Sequence, residues 1–296
     1  MPRSSLSSPL HARDHGGEGP PLVLLHGAGR SLADWDAVAP LLLPHHRVLA
    51  VDLPGHGRSP GLPAPWSFDG VAEAVGRTVD AYGIRDALPV GHSLGGLLAL
   101  HLAAPCACPG AVNLDGFWWG GPARYPGLDP ATVAEGLDRM RGLMRSAAGR
   151  IAPAGYVAEQ AAYAGRFGIP YDRAEATARA SVRELPDGRV QTLPLREAAL
   201  EMYDALDALD VFALLRRVPS PVLCVRGRRA GPPTPGMEWF EELTASYAKG
   251  LDRDFAALSG ERTGTLRVED IDATHAMLLE EPEAVAALLL SFTRTL

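Results

Sequence analysis

Apolar residues in this chain come mostly in short runs. Pro21 to Leu25 (PLVLL), Arg47 to Leu53, Ala87 to Val90, Ala111 to Leu114 and Pro221 to Arg226 (PVLCVR) are such runs, and turn residues separate each from the next segment. A short run with no polar face predicts a strand buried on both sides. Thr265 to Val268 predicts a last strand. Between these runs the period lengthens. Ser31 to Leu43 has apolar residues at 32, 35, 38, 41 and 42, and Phe68 to Tyr82 carries Val71, Val75 and Val79 on one side. Leu94 to Ala104, stopping at Pro105, and also Met237 to Leu258 and Glu281 to Leu296, read as further helices. Alternating strands and helices imply right-handed crossovers. The predicted fold class is α/β, a mostly parallel sheet with helices on both faces.

The alternation stops after Asp115. From Phe117 to about Arg217 no convincing strand is visible, only Ala-, Arg- and Glu-rich segments broken by Pro and Gly. The predicted organisation is a core of residues 1–116 and 217–296 with an inserted helical cap, residues 117–216. Residues 1–19 are polar and Gly-rich, either a short strand or a loose arm, and Pro232 to Gly236 is a Pro-rich loop.

One turn stands out chemically. Gly91-His92-Ser93-Leu94-Gly95 has the spacing G-x-S-x-G, with a strand-like run before it and a helix-like run after it. A serine at the apex of a sharp strand–turn–helix is held with its hydroxyl clear of the sheet. Glycines on either side leave room where a Cβ would collide. The first N–H groups of the helix, beginning with Leu94, point to where a negative oxygen would sit. Ser93 is therefore the candidate nucleophile. Its hydroxyl needs a positioned imidazole to take its proton. His275 follows the last strand, at the edge where parallel sheets build their sites. His92 is predicted to point to the other side of its turn, while His26 and His56 belong to turns and bind backbone. His101 lies two turns along the helix, and His11, His15, His45 and His46 read as surface or loop residues.

Four pieces together resemble the α/β-hydrolase superfamily. They are His26-Gly27 after the first strand, Asp52-Leu53-Pro54-Gly55-His56-Gly57-Arg58-Ser59, Gly91-His92-Ser93-Leu94-Gly95-Gly96, and a late His275 before the closing helix. The resemblance covers about residues 11–116 and 217–296, and the insertion sits where that family carries its cap. It implies His275 as the base and the backbone N–H groups of Ala28 and Leu94 as oxyanion donors. The chain departs from the commoner family pattern at the acid. Where a G-x-x-D is usual, it reads Gly227-Arg228-Arg229-Ala230. Some members place the acid at the end of the preceding strand, where Asp115 stands. Asp-Gly is also a turn pair, so Asp115 as a turn residue and Asp272 as acid remain alternatives.

Beside Asp115 stand Phe117, Trp118 and Trp119, with Tyr125, Met140 and Met144 further on. They are candidates to line an apolar substrate pocket, or to pack cap on core. The arginines at 139, 141, 145 and 150 either receive a carboxylate or form a solvated face.

Composition narrows the classes. The chain has 296 residues and a formal net charge of −7. That mild, dispersed acidity gives no footprint for nucleic acid or an anionic membrane. No run of about 18 apolar residues predicts a membrane span. Met1 to Pro9 shows no leader-like apolar region, and three cysteines, Cys106, Cys108 and Cys224, are an odd number. Both features point to free thiols and a cytoplasmic setting. Cys106-Ala107-Cys108 reads as packing beyond a helix end. No metal-ligand cluster and no G-x-G-x-x-G is visible, so no metal and no cofactor is expected.

The expected activity is a serine hydrolase cleaving a small ester, lactone or thioester, or an activated C–C bond, through an acyl-enzyme on Ser93. Its partner would be a small-molecule substrate. The oligomeric state stays open, a homodimer among the options. The alternatives are a low-turnover ligand-binding protein on the same fold, for which the missing acid after Gly227 argues, and a lyase or acyltransferase using the same residues.

Overall fold

The structure, a computed structural model, describes residues 9–105 and 108–296. The chain begins with β1 (Ala12–Gly16), β2 (Leu22–Leu25), α1 (Ala39–Leu42), β3 (Val48–Val51), α2 (Phe68–Ala81), β4 (Leu88–His92), α3 (Leu94–Ala103) and β5 (Ala111–Leu114). It continues with α4 (Pro130–Ala147), β6 (Ile151–Ala152), α5 (Tyr156–Ala164), α6 (Tyr171–Ala180), β7 (Val182–Glu184), β8 (Val190–Thr192), α7 (Arg196–Asp207) and α8 (Val211–Arg217). It closes with β9 (Val222–Gly227), α9 (Glu238–Glu261), β10 (Leu266–Ile271), α10 (Met277–Glu280) and α11 (Pro282–Thr293).

Seven strands form one sheet in the order β1-β3-β2-β4-β5-β9-β10. Only β1 runs antiparallel to its neighbour; the other pairs are parallel. The apolar runs are continuous because successive residues face different layers. Leu22, Leu24, Val90, Val112, Leu223 and Val225 pack with Trp35 and with Val285, Leu289 and Phe292 of α11. Val23, Leu25, Leu49 and Val51 pack on the opposite face with Val71 and Val75 of α2 and Leu97 and Leu98 of α3. Each such side chain, fully buried, contributes roughly 1.5–3 kcal/mol.

The strand order positions the site. The chain leaves β2 for β3 on one side, then crosses to β4 on the other. The connections from β2 and β4 therefore diverge, and a crevice opens at the carboxyl ends of these two strands. His26 follows β2 there, and Ser93 follows β4.

Three sequence expectations need correction. Ser31–Leu43 is not one helix: a short 3-10 turn covers Leu32–Trp35 and α1 begins only at Ala39. Pro40 explains the break, since it suits the first turn of a helix and not its interior. The segment after β5 is not free of strands either. The short β6, β8 and β7 pair in that order as a separate antiparallel sheet. Strands of two or three residues, partly exposed, leave no periodicity to read. The last strand runs to Ile271, past the polar Glu269 and Asp270. Of the two readings of the first residues, the short strand is present as β1, while residues 1–8 lie outside the described residues. Among the described residues, no helix is long and apolar enough to cross a membrane. Cys106 and Ala107 lie outside the described residues. Cys224 is fully buried in β9, and loss of solvation pushes its thiol up to about 12.

Candidate active site

Ser93 sits at the apex of the β4–α3 turn with φ 54° and ψ −119°. A non-glycine residue at that φ carries strain of order 1–3 kcal/mol, held by its surroundings. The turn is tight enough to demand glycine at two places. A Cβ on Gly91 would lie 1.9 Å from the Gly95 carbonyl oxygen, and one on Gly95 would lie 2.2 Å from that of Leu25. The Ser93 N–H donates to the Leu114 carbonyl at 2.8 Å, tying the apex to β5.

Ser93, His275 and Asp115 come together. The Ser93 hydroxyl oxygen is 3.0 Å from His275 Nε2. His275 Nδ1 is 2.7 Å from Asp115 Oδ2. The other carboxylate oxygen, Oδ1, accepts the Gly227 N–H at 3.2 Å. The end of β9, where the commoner pattern leads to an acid, thus supplies a backbone donor to Asp115. Arg228 pairs with Asp252 and Asp270. Asp272, the alternative acid, is 89% exposed and paired with Arg229.

Asp115 also has a positive φ, 53°. Asn113, fully buried in β5, holds that turn: its Nδ2 donates to the Gly116 carbonyl at 2.9 Å and its Oδ1 accepts the Gly116 N–H at 2.7 Å. Sequence reasoning passed over Asn113. The signal was there, because an amide inside an otherwise apolar strand must find partners. Glu280 was passed over too. Its carboxylate, 1% exposed, accepts the Thr274 N–H at 2.8 Å and the Thr274 hydroxyl, and receives Arg229. It fixes the turn that carries His275.

The other histidines divide by environment. His92 Nε2 lies 2.7 Å from the His275 carbonyl oxygen, and the two rings are 4.8 Å apart. Burial, then the neighbouring His275, bring the His92 pKa down to about 3. It is neutral, donates Nε2–H to that carbonyl, and ties the serine turn to the histidine loop. His26 donates to the Gly27 carbonyl and accepts the Leu53 N–H. His56 accepts the Gly29 N–H and donates to the Pro54 carbonyl, and burial brings its pKa to about 4. Both bind backbone, as expected. His46 is buried between the Pro20 carbonyl and Thr293.

Crowding around its ring pulls the pKa of His275 down, though the side chain is 60% exposed, and the Asp115 hydrogen bond and charge outweigh this and leave it above 6.5. A base works as the neutral imidazole. We expect kcat/KM to rise with pH through a single proton loss centred above pH 6.5. In Asp115→Asn the raising influence is gone, so that limb should move to lower pH. A pH–rate profile of both proteins checks the sign. A limb that does not move would separate Asp115 from the titration of His275.

Ala28 and Leu94 flank the serine. The turn after β2 presses on it: a Cβ on Gly27 would lie 3.2 Å from Ser93 Cβ. Among the described residues, neither the Ala28 nor the Leu94 N–H has an acceptor within the protein. The aromatic residues that follow Asp115 each have a packing partner. Phe117 meets Phe255 edge-on, Trp119 packs on Phe240 and Tyr247, and Trp118 stacks on Tyr203 while donating to Asp207. Tyr247 donates to the Phe117 and Trp118 carbonyls, locking this stretch to α9. Tyr125 and Met140 are buried in the core cluster, and Met144 packs against it. Among the described residues, no three His, Cys, Asp or Glu side chains are grouped as a metal ion would need.

The profile of the alpha/beta hydrolase family matches residues 22–288. The chain is 35% identical over 218 residues to a pimeloyl-[acyl-carrier protein] methyl ester esterase of Methylococcus capsulatus, across 72% of this chain and 77% of that protein. It is 32% identical over 288 residues to lipase LipV of Mycobacterium tuberculosis, across 95% and 97% of the two chains. Among solved structures, an E-2-(acetamidomethylene)succinate hydrolase superposes with a TM-score of 0.69 at 22% identity, over 96% of this chain and 95% of that one, a likeness of fold.

Proposed function

This chain belongs to the alpha/beta hydrolase family, and from that premise we propose that it is a serine hydrolase acting on a small ester, lactone or thioester through an acyl-enzyme on Ser93. The observation that carries the reading is the continuous hydrogen-bonded line from the Ser93 hydroxyl through His275 to Asp115. Two relatives named for ester cleavage, an esterase and a lipase, support the same chemistry.

Ser93 Oγ attacks the substrate carbonyl carbon while its proton passes to His275 Nε2. The carbonyl electrons move to oxygen, held by the N–H groups of Ala28 and Leu94; each such donor contributes about 3 kcal/mol to the transition state. Collapse breaks the bond to the leaving oxygen or sulfur, and His275 returns the proton to it. Water then repeats the sequence with His275 as base, releasing the acid and restoring Ser93. Asp115 keeps the proton on Nδ1 and stabilises the imidazolium without taking that proton. The segment 117–216 acts as the cap over the crevice, and the substrate is the protein's small-molecule partner.

The ligand-binding alternative drew its support from a missing acid, and Asp115 stands hydrogen-bonded to His275 in that role's geometry. Product analysis on esters of graded acyl length tests the reading. Stoichiometric free acid and alcohol are expected. Transfer of the acyl group to an added nucleophile in place of water, or elimination without acid release, would move the site to transferase or lyase chemistry.

A further inference from the structure

A cavity of about 300 Å³ lies between the Gly29-Arg30 turn and the segment proposed as the cap. Its polar lining includes Arg30, Arg150, Tyr156 and Gln160, and its apolar lining includes Leu193 and Tyr203. No Asp or Glu lines it among the described residues. Ser93, His275 and Asp115 do not line it, but its wall includes the turn that leads on from the serine's neighbour Gly27. Gly27 packs against Ser93, and Gly29 is two residues on, at most about 7.6 Å away along the chain.

The four arginines left open by the sequence part company here. Arg139 lies over the Trp239 ring, Arg141 pairs with Asp138 and Asp207, and Arg145 pairs with Asp204 and Asp207. Arg150 has no carboxylate partner among the described residues; it lies 5.6 Å from the Tyr156 ring centroid and faces the cavity. Arg30 pairs with Asp34 through Nε and Nη2, which leaves its Nη1 outside that pair. Setting Asp34 against Arg30 leaves one net positive charge, that of Arg150, on a cavity wall that also offers neutral donors. The Arg150 guanidinium, solvent-exposed at the cavity wall, matches the planar, two-oxygen geometry of a carboxylate.

We propose that this cavity receives an anionic end group, a carboxylate, on the substrate whose carbonyl lies at Ser93, with Arg150 as the principal recognition residue and Arg30 Nη1 and Gln160 as secondary donors. The inference rests on the hydrolase reading for the place of the reacting carbonyl. Its occupant is then a short ester or thioester bearing a second, free carboxylate, not a plain fatty acyl chain.

The test uses binding, so that it does not depend on turnover. Ser93→Ala protein is titrated by NMR with monomethyl glutarate and with methyl butyrate, which differ by the carboxylate. The charged ester is expected to bind at least tenfold more tightly, and Arg150→Gln in the same background should bring the two close to parity. Equal affinity for both esters, no binding of either, or a preference that survives Arg150→Gln would overturn the proposal. Failure of the hydrolase reading itself would show separately, as absent turnover of both esters by the unaltered protein.

Discussion

Ser93→Ala lowers kcat by a factor on the order of 10⁵ to 10⁶, and His275→Ala lowers it by about as much, because nucleophile and base act as one unit. The expectation follows from the geometry. The hydroxyl has one base within reach, at 3.0 Å, and the other histidines of the crevice are committed elsewhere. His92 gives its Nε2–H to the His275 carbonyl, His26 is bonded to Gly27 and Leu53, and His56 to Gly29 and Pro54. Among the described residues, no second imidazole stands ready to deprotonate Ser93. The double variant should therefore be no slower than either single one. Steady-state kinetics on one ester with all three proteins checks this. Additive losses in the double variant would mean that the two residues contribute separately.

Asp115→Asn is the second large effect, a fall in kcat of about 10⁴-fold with the fold retained. The carboxylate has two acceptor oxygens and uses both, one for the Gly227 N–H and one for His275 Nδ1–H. An amide has a single oxygen. If it keeps Gly227, its NH₂ faces His275 Nδ1, and the ring proton must move to Nε2, where it faces Ser93 and blocks proton uptake. If it keeps His275, the Gly227 N–H meets the NH₂, and the negative charge that stabilised the imidazolium is lost either way. Asp272→Asn, by contrast, should change kcat little, since that side chain is exposed and paired with Arg229. Near-normal rates in Asp115→Asn would remove it from the mechanism. Circular dichroism and thermal unfolding of the variant separate lost chemistry from lost fold.

The legible and illegible parts of the chain differ for physical reasons. The core strands were legible because a strand buried on both faces, such as Leu22–Leu25, leaves an uninterrupted apolar run. Ser93 and His275 were legible because a tight turn demands Gly91 and Gly95 and because the fold orders its elements. Asp115 required comparing two strand ends, and sequence could not choose between it, a plain turn and Asp272. The structure brings Asp115 to 2.7 Å from His275 because β5, β9 and β10 are successive in the sheet, a tertiary fact. The supports of the site were the least legible. Asn113 and Glu280 act through partners three and six residues away, in turns whose geometry depends on the packed sheet. Trp118 and Trp119 stood out in sequence for their size, and their rings pack on Tyr203, Phe240 and Tyr247. The short strands β6 to β8 had no period to reveal them.

The central claim is that Ser93 is a nucleophile activated by His275. The most direct measurement is labelling of the pure protein with a fluorophosphonate, which forms a covalent bond only with an activated serine hydroxyl. The expected result is one label per chain on the peptide carrying Ser93, absent in Ser93→Ala and strongly slowed in His275→Ala. No labelling of the unaltered protein, or labelling that persists undiminished in both variants, would contradict it.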